Sequence, residues 1–184
     1  MKRFRFISLF LTLAIVISLM MPSSYAASSL VKKMSVEAKA ALLEDLDSDT
    51  VLYAQKADEK VYPASLTKVM TALLVFDAIE SGDLSMDKVL TADGTIWEDL
   101  EPDSSTANIR AGEKLTVEEL LYCLLVQSAG EAANMLAMSV SGSVANFVQE
   151  MNKKAEELGC KGTHFVNTSG MPDPDHYTTC NDLY

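Results

Sequence analysis

Ser65 and Lys68 stand three residues apart in Pro63-Ala64-Ser65-Leu66-Thr67-Lys68, where a polar stretch gives way to an apolar run. At that spacing a hydroxyl and an amine share one face of a helix, one turn apart. A serine hydroxyl attacks a carbonyl when a nearby base takes its proton, and a lysine is such a base once its surroundings keep it neutral. Ser-x-x-Lys also occurs at Ser29 and Lys32 and at Ser85 and Lys88. Context separates the three. Ser29 lies in a polar stretch and Ser85 in Gly82-Asp83-Leu84-Ser85, which reads as a loop. Only Ser65 opens a long apolar segment, Leu66 to Ser81. The start of a helix offers unpaired N–H groups and a positive dipole end, which stabilise an oxyanion formed by attack on a carbonyl.

The elements that must hold this pair follow from local pattern. Leu66 to Ser81 is apolar nearly all round, which predicts a helix running through a core. Upstream, Ala40 to Leu46 and Val51 to Gln55 flank the turn-forming Asp47-Ser48-Asp49-Thr50, the pattern of a β-hairpin, although the first run is also compatible with helix. Residues 83 to 113 are polar and loop-rich. Thr116 with Glu119 forms a capping box ahead of a helix from Val117 to Gln127. A second helix is expected from Glu131 to Ser139 and a third from Val144 to Leu158, the latter between Ser143 and Gly159. Thr163 to Asn167 alternates like a short strand, and Gly170 to Asp175 is a loop. Ser128 falls in the break between two apolar helices. A serine there can face a pocket, but its commoner role is simply to end a helix.

Composition narrows the class. The 184 residues are 48% hydrophobic, which suits one globular domain. Fifteen Lys and Arg against 26 Asp and Glu give a formal charge of -11, so the basic footprint of a nucleic-acid binder is missing. Lys2, Arg3 and Arg5, the apolar Phe6 to Met21 and then Ser24-Tyr25-Ala26 read as an export signal cleaved after Ala26. An uncleaved anchor is the alternative, and the apolar run is short for a bilayer span. Cys123, Cys160 and Cys180 form no disulfide framework, although a bridge between Cys160 and Cys180 is compatible with export. The acidic residues from Asp93 to Asp103 read as a solvated face rather than a metal site. His164 and His176 are isolated, and neither is assigned a catalytic role.

Several separated segments together resemble one family. Pro63 to Lys68 is similar to the first motif of the D-alanyl-D-alanine carboxypeptidases, the low-molecular-mass penicillin-binding proteins of peptidase family S11. Ala111 to Leu121, Leu125 to Asn134, Phe147 to Asn152 and Leu158 to Gly170 continue the likeness in order, from about Ala40 to the last residue. The resemblance implies an α+β fold of the β-lactamase/DD-peptidase type, a helical region packed on an antiparallel sheet. By position it makes Ser65 the acylated nucleophile, Lys68 its base and Ser128 a proton relay. It implies no cofactor and no metal. The implied partners are a peptidoglycan stem peptide ending in D-Ala-D-Ala and β-lactams as covalent inhibitors. It also implies an extracytoplasmic location, with membrane attachment only through an anchor outside this chain.

Two departures from the family pattern stand out. The second motif is normally Ser-x-Asn, whereas this chain has Ser128-Ala129-Gly130, which puts Gly130 where a substrate-binding amide is expected. Asn134 lies about one turn further on. No Lys-Thr-Gly or Lys-Ser-Gly triplet occurs, and Lys161-Gly162-Thr163 has the letters in another order. The expectation is therefore a signal peptide over 1–26 and, over 27–184, the N-terminal portion of a catalytic domain whose C-terminal strands are missing. A serine β-lactamase and a non-catalytic wall-binding module are the competing readings.

Overall fold

The computed structural model describes residues 35–102 and 104–184. The expected export signal lies outside the described residues. Residues 35–38 with 43–54 belong to one compact unit, and residues 39–42 with 55–184 to another.

The first unit holds the turn and most of both strands of a hairpin. Strand β1 (Ala41–Asp45) pairs with β2 (Thr50–Gln55) across the expected turn. Asp49 takes a left-handed backbone there, and Asp47 N–H donates to Asp45 Oδ1 at 3.0 Å. Side chains of aspartate close such turns on their own backbone.

The second unit is mainly helical. A 3₁₀ turn (Ala64–Leu66) leads into α1 (Thr67–Glu80), and β3 (Val89–Thr91) follows. A second 3₁₀ turn (Gly94–Trp97) precedes β4 (Lys114–Thr116). Then come α2 (Val117–Val126), α3 (Gly130–Ser141), α4 (Val144–Leu158) and the short α5 (Cys180–Leu183). β3 and β4 are antiparallel, with Leu90 opposite Leu115, so the polar 83–113 region is tied down by a two-stranded ribbon. The capping box of Thr116 and Glu119 forms at the start of α2. Ser143 caps α4, and Gly159 ends it in the left-handed conformation that lacks a Cβ penalty. Thr163 to Asn167 is not a strand. It makes a single bridge, His164 to Tyr177, because only that pair comes into register.

The centre of the core is α3, not α1. Every residue of α3 from Gly130 to Ala137 is buried, and Ala132, Ala133 and Ala137 let α1, α2 and α4 approach closely. Leu120 and Leu124 from α2 close around it and Leu136 is its own central side chain, all with essentially no exposure, each stabilising the fold by about 1.5–3 kcal/mol. By contrast α1 buries only the face carrying Thr67, Lys68, Thr71, Ala72, Leu74, Val75 and Ala78. Val69, Leu73 and Phe76 are exposed, so the apolar run does not pass through the core as expected. Apolar composition permits burial on any side; the packing of α3 selects one.

Candidate active site

The turn that carries Ser65 is built from a buried Pro63, Ala64 at φ 48° and the 3₁₀ turn that starts α1. This leaves Ser65 exposed while Lys68, one turn further on, is only 5% exposed. Lys68 Nζ lies 3.3 Å from Ser65 Oγ. From the other side the Ser128 hydroxyl donates to Ser65 Oγ at 2.8 Å. Ser128 has φ 57°, a left-handed conformation that costs a non-glycine residue about 1–3 kcal/mol. The kink is held by Ala129 N–H, which donates back to the Cys123 carbonyl at 3.0 Å. Ser65, Lys68 and Ser128 share one open cavity with Leu124 and Leu125.

Burial lowers the Lys68 pKa to about 8, against an opposing pull from the Glu131 carboxylate. Desolvation is the larger effect because it penalises only the charged ammonium. Lys68 Nζ also donates to the Ser169 carbonyl at 2.6 Å, which fixes the amine where it meets Ser65. An amine with this pKa has an appreciable neutral fraction near neutrality and can accept the Ser65 proton.

The segment after α4 clamps the buried face of α1. Thr71 donates to the Thr168 carbonyl at 2.7 Å, and Thr67 Oγ1 lies 2.7 Å from His176 Nε2. Asn167 Oδ1 accepts from the N–H groups of Ser169, Gly170 and Met171, which shapes the loop that presents the Ser169 carbonyl. Gly170 has φ 88°, and a Cβ there would sit 1.8 Å from the Ala64 carbonyl oxygen. Sequence reasoning missed Asn167 and His176 as supports of the site. Asn167 followed three residues later by glycine was the one local signal, a side chain placed to accept successive loop N–H groups.

Comparison with known proteins shows the family to which the chain belongs. The family model described as D-alanyl-D-alanine carboxypeptidase matches residues 26–184. This chain belongs to that family. It is 36% identical over 165 residues to the D-alanyl-D-alanine carboxypeptidase DacF of Bacillus subtilis, covering 88% of this chain and 41% of that protein. Penicillin-binding protein 5 of Haemophilus influenzae superposes with a TM-score of 0.78 at 33% identity, covering 82% of this chain and 44% of that one. Penicillin-binding protein D2 of Listeria monocytogenes in its cefotaxime-bound form gives 0.71 at 31% identity, covering 82% of this chain and 60% of that one. The chain spans about two fifths of the length of the curated relatives it matches. The neighbours also bear out the α+β, DD-peptidase-like fold class.

Against the family pattern, the structure does not bring Gly130 to the cavity as a substrate-facing group. Gly130 is buried, its N–H donates to the Ser105 carbonyl at 3.0 Å, and the Leu100 side chain covers its Cα. Asn134 does not stand in for a motif amide either. Its amide donates to the Ile96 and Glu98 carbonyls, and its oxygen accepts from Thr168. Glu131, fully buried, accepts from Thr106 Oγ1 and Ala107 N–H at 2.7 Å each and docks that loop on α3. No Cys160–Cys180 bridge forms; all three thiols are free. Among the described residues no cluster of His, Cys, Asp and Glu is arranged to hold a metal ion.

Proposed function

We propose that this chain carries the acylating machinery of a serine-type D-Ala-D-Ala carboxypeptidase that removes the terminal D-alanine of peptidoglycan stem peptides. The observation that carries the reading is the meeting of Ser65 Oγ, Lys68 Nζ and Ser128 Oγ in one cavity. Neutral Lys68 takes the Ser65 proton as Oγ attacks the carbonyl carbon between the two D-alanines. The oxyanion forms near the positive end of α1. Ser128 passes a proton to the leaving nitrogen, the C–N bond breaks, D-alanine departs and Ser65 is left as an ester. Water then hydrolyses that ester and returns the hydroxyl. A β-lactam enters the same first step and stays attached, in keeping with the cefotaxime-bound relative.

We further propose that the chain is exported and loses residues 1–26. Lys2, Arg3 and Arg5 ahead of the apolar Phe6 to Met21 support this. Among the described residues no helix is long and apolar enough to cross a membrane. The test of chemistry is labelled penicillin followed by mass spectrometry of the Ser65 peptide. A covalent adduct on Ser65, lost in Ser65→Ala, is expected. The second reading, a wall-binding module without turnover, is favoured by Leu100 lying over Gly130; no adduct under any condition would select it.

A further inference from the structure

His176 comes from the loop after Gly170, which composition marks as a connector, yet it is 1% exposed. Its Nδ1 receives the Val166 N–H at 3.1 Å. A backbone N–H only donates, so Nδ1 must be bare. The proton of the neutral ring therefore sits on Nε2, and Nε2–H donates to Thr67 Oγ1 at 2.7 Å. Phe165 closes the side of the ring edge-on at 5.6 Å. Of the three protonation forms of an imidazole, two would set N–H against N–H at Val166. Burial disfavours the charged form and lowers the pKa to about 4; Asp173 pulls the other way and His164 adds to the lowering.

We propose that His176 is a positioning residue for the nucleophilic turn: as the Nε2–H imidazole it bridges Val166 N–H and the Thr67 hydroxyl, and so fixes Ser65 and Lys68 against the 166–178 segment. Thr67 lies between the two reactive residues. Its bond to His176 is the first of three rungs on one face of α1, followed by Lys68 to the Ser169 carbonyl and Thr71 to the Thr168 carbonyl. The first rung is the one that joins two side chains, so it alone is set by a tautomer. A loosened turn moves Lys68 Nζ relative to Ser65 Oγ. A displacement near 1 Å in a reacting pair costs about a hundredfold in rate.

The acylation arm of the test rests on the function proposed above; the spectroscopic arms do not. Nitrogen-15 spectra of the whole chain with labelled histidine should show His176 with one bare nitrogen, its proton on Nε2, unchanged from about pH 8 to about pH 5. A proton on Nδ1, or a charged ring in that range, overturns the proposal. Thr67→Val and His176→Phe should each raise the Lys68 pKa from about 8 by about one unit, as its amine gains water. Thr67→Ser, which keeps the hydroxyl, should leave it unchanged. Each of the first two should also slow labelled-penicillin acylation about a hundredfold, and the double variant no further. Multiplied losses in the double variant, or a Lys68 titration that ignores both changes in folded protein, would overturn it. An unacylated parent chain would refute the function instead, while the histidine and lysine titrations still decide this proposal.

Discussion

Leu100 occupies the space that a side chain on residue 130 would need: its Cδ2 lies 2.7 Å from where a Cβ on Gly130 would be. The two residues are therefore one unit of packing. Gly130→Asn alone should destabilise the chain by about 1–3 kcal/mol through overpacking, measured by urea denaturation. Adding Leu100→Ala should recover most of that loss. In the paired variant an amide near Ser128 should raise labelled-penicillin acylation by about tenfold or more, the worth of a hydrogen bond to a charged group. Equal effects of Gly130→Asn with and without Leu100→Ala would show that the two do not compete for space.

Lys68 acts as base only when neutral. With its pKa lowered to about 8, the acylation rate should rise about tenfold per pH unit below that value and level off above it. Glu131 pulls that pKa up, so Glu131→Gln should move the inflection to lower pH. Stability has its own signature. Between about 8 and 10.5 the unfolded chain binds more protons at this lysine than the folded one, so stability rises with pH across that window. Lys68→Met should abolish that slope while leaving the chain folded.

His176 predicts a separate acid transition. Its folded pKa of about 4 lies below the usual 6.5, so between those values the unfolded state takes up the proton first. Its stabilisation is complete above pH 6.5 and is lost as pH falls towards 4, by about 3 kcal/mol in total. Thermal melts across this window should show the decline in the parent chain. His176→Phe should start lower and decline less steeply.

Gly170→Ala should be among the most damaging single changes in the chain. A methyl group there meets the Ala64 carbonyl oxygen at 1.8 Å, and φ 88° is strained for any residue with a Cβ. Relief requires separating the Asn167–Met171 loop from the turn before Ser65. The expected loss is above about 2 kcal/mol, with acylation lost in parallel. A fully stable Gly170→Ala variant would mean that this close approach is not maintained.

Residue pattern alone was enough for what is decided within a few positions of the chain. The spacing of Ser65 and Lys68 puts both on one helix face, and the caps at Thr116, Ser143 and Gly159 set helix ends by hydrogen bonds to neighbouring residues. The same locality made the hairpin turn around Asp49 legible. What the pattern left open was every choice between partners distant along the chain. Ser128 in isolation reads as a helix end, and only the kink after α2 sets its hydroxyl on Ser65. Nothing near His176 points to Thr67, 109 residues away. Nothing near Gly130 points to Leu100. Apolar composition marked α1 as a core helix, but the smaller side chains of α3 allow closer approach on all sides, and they took the centre. Local hydrogen bonds and periodicity compete with few alternatives; which faces meet is settled by packing many segments at once, and no single segment encodes it.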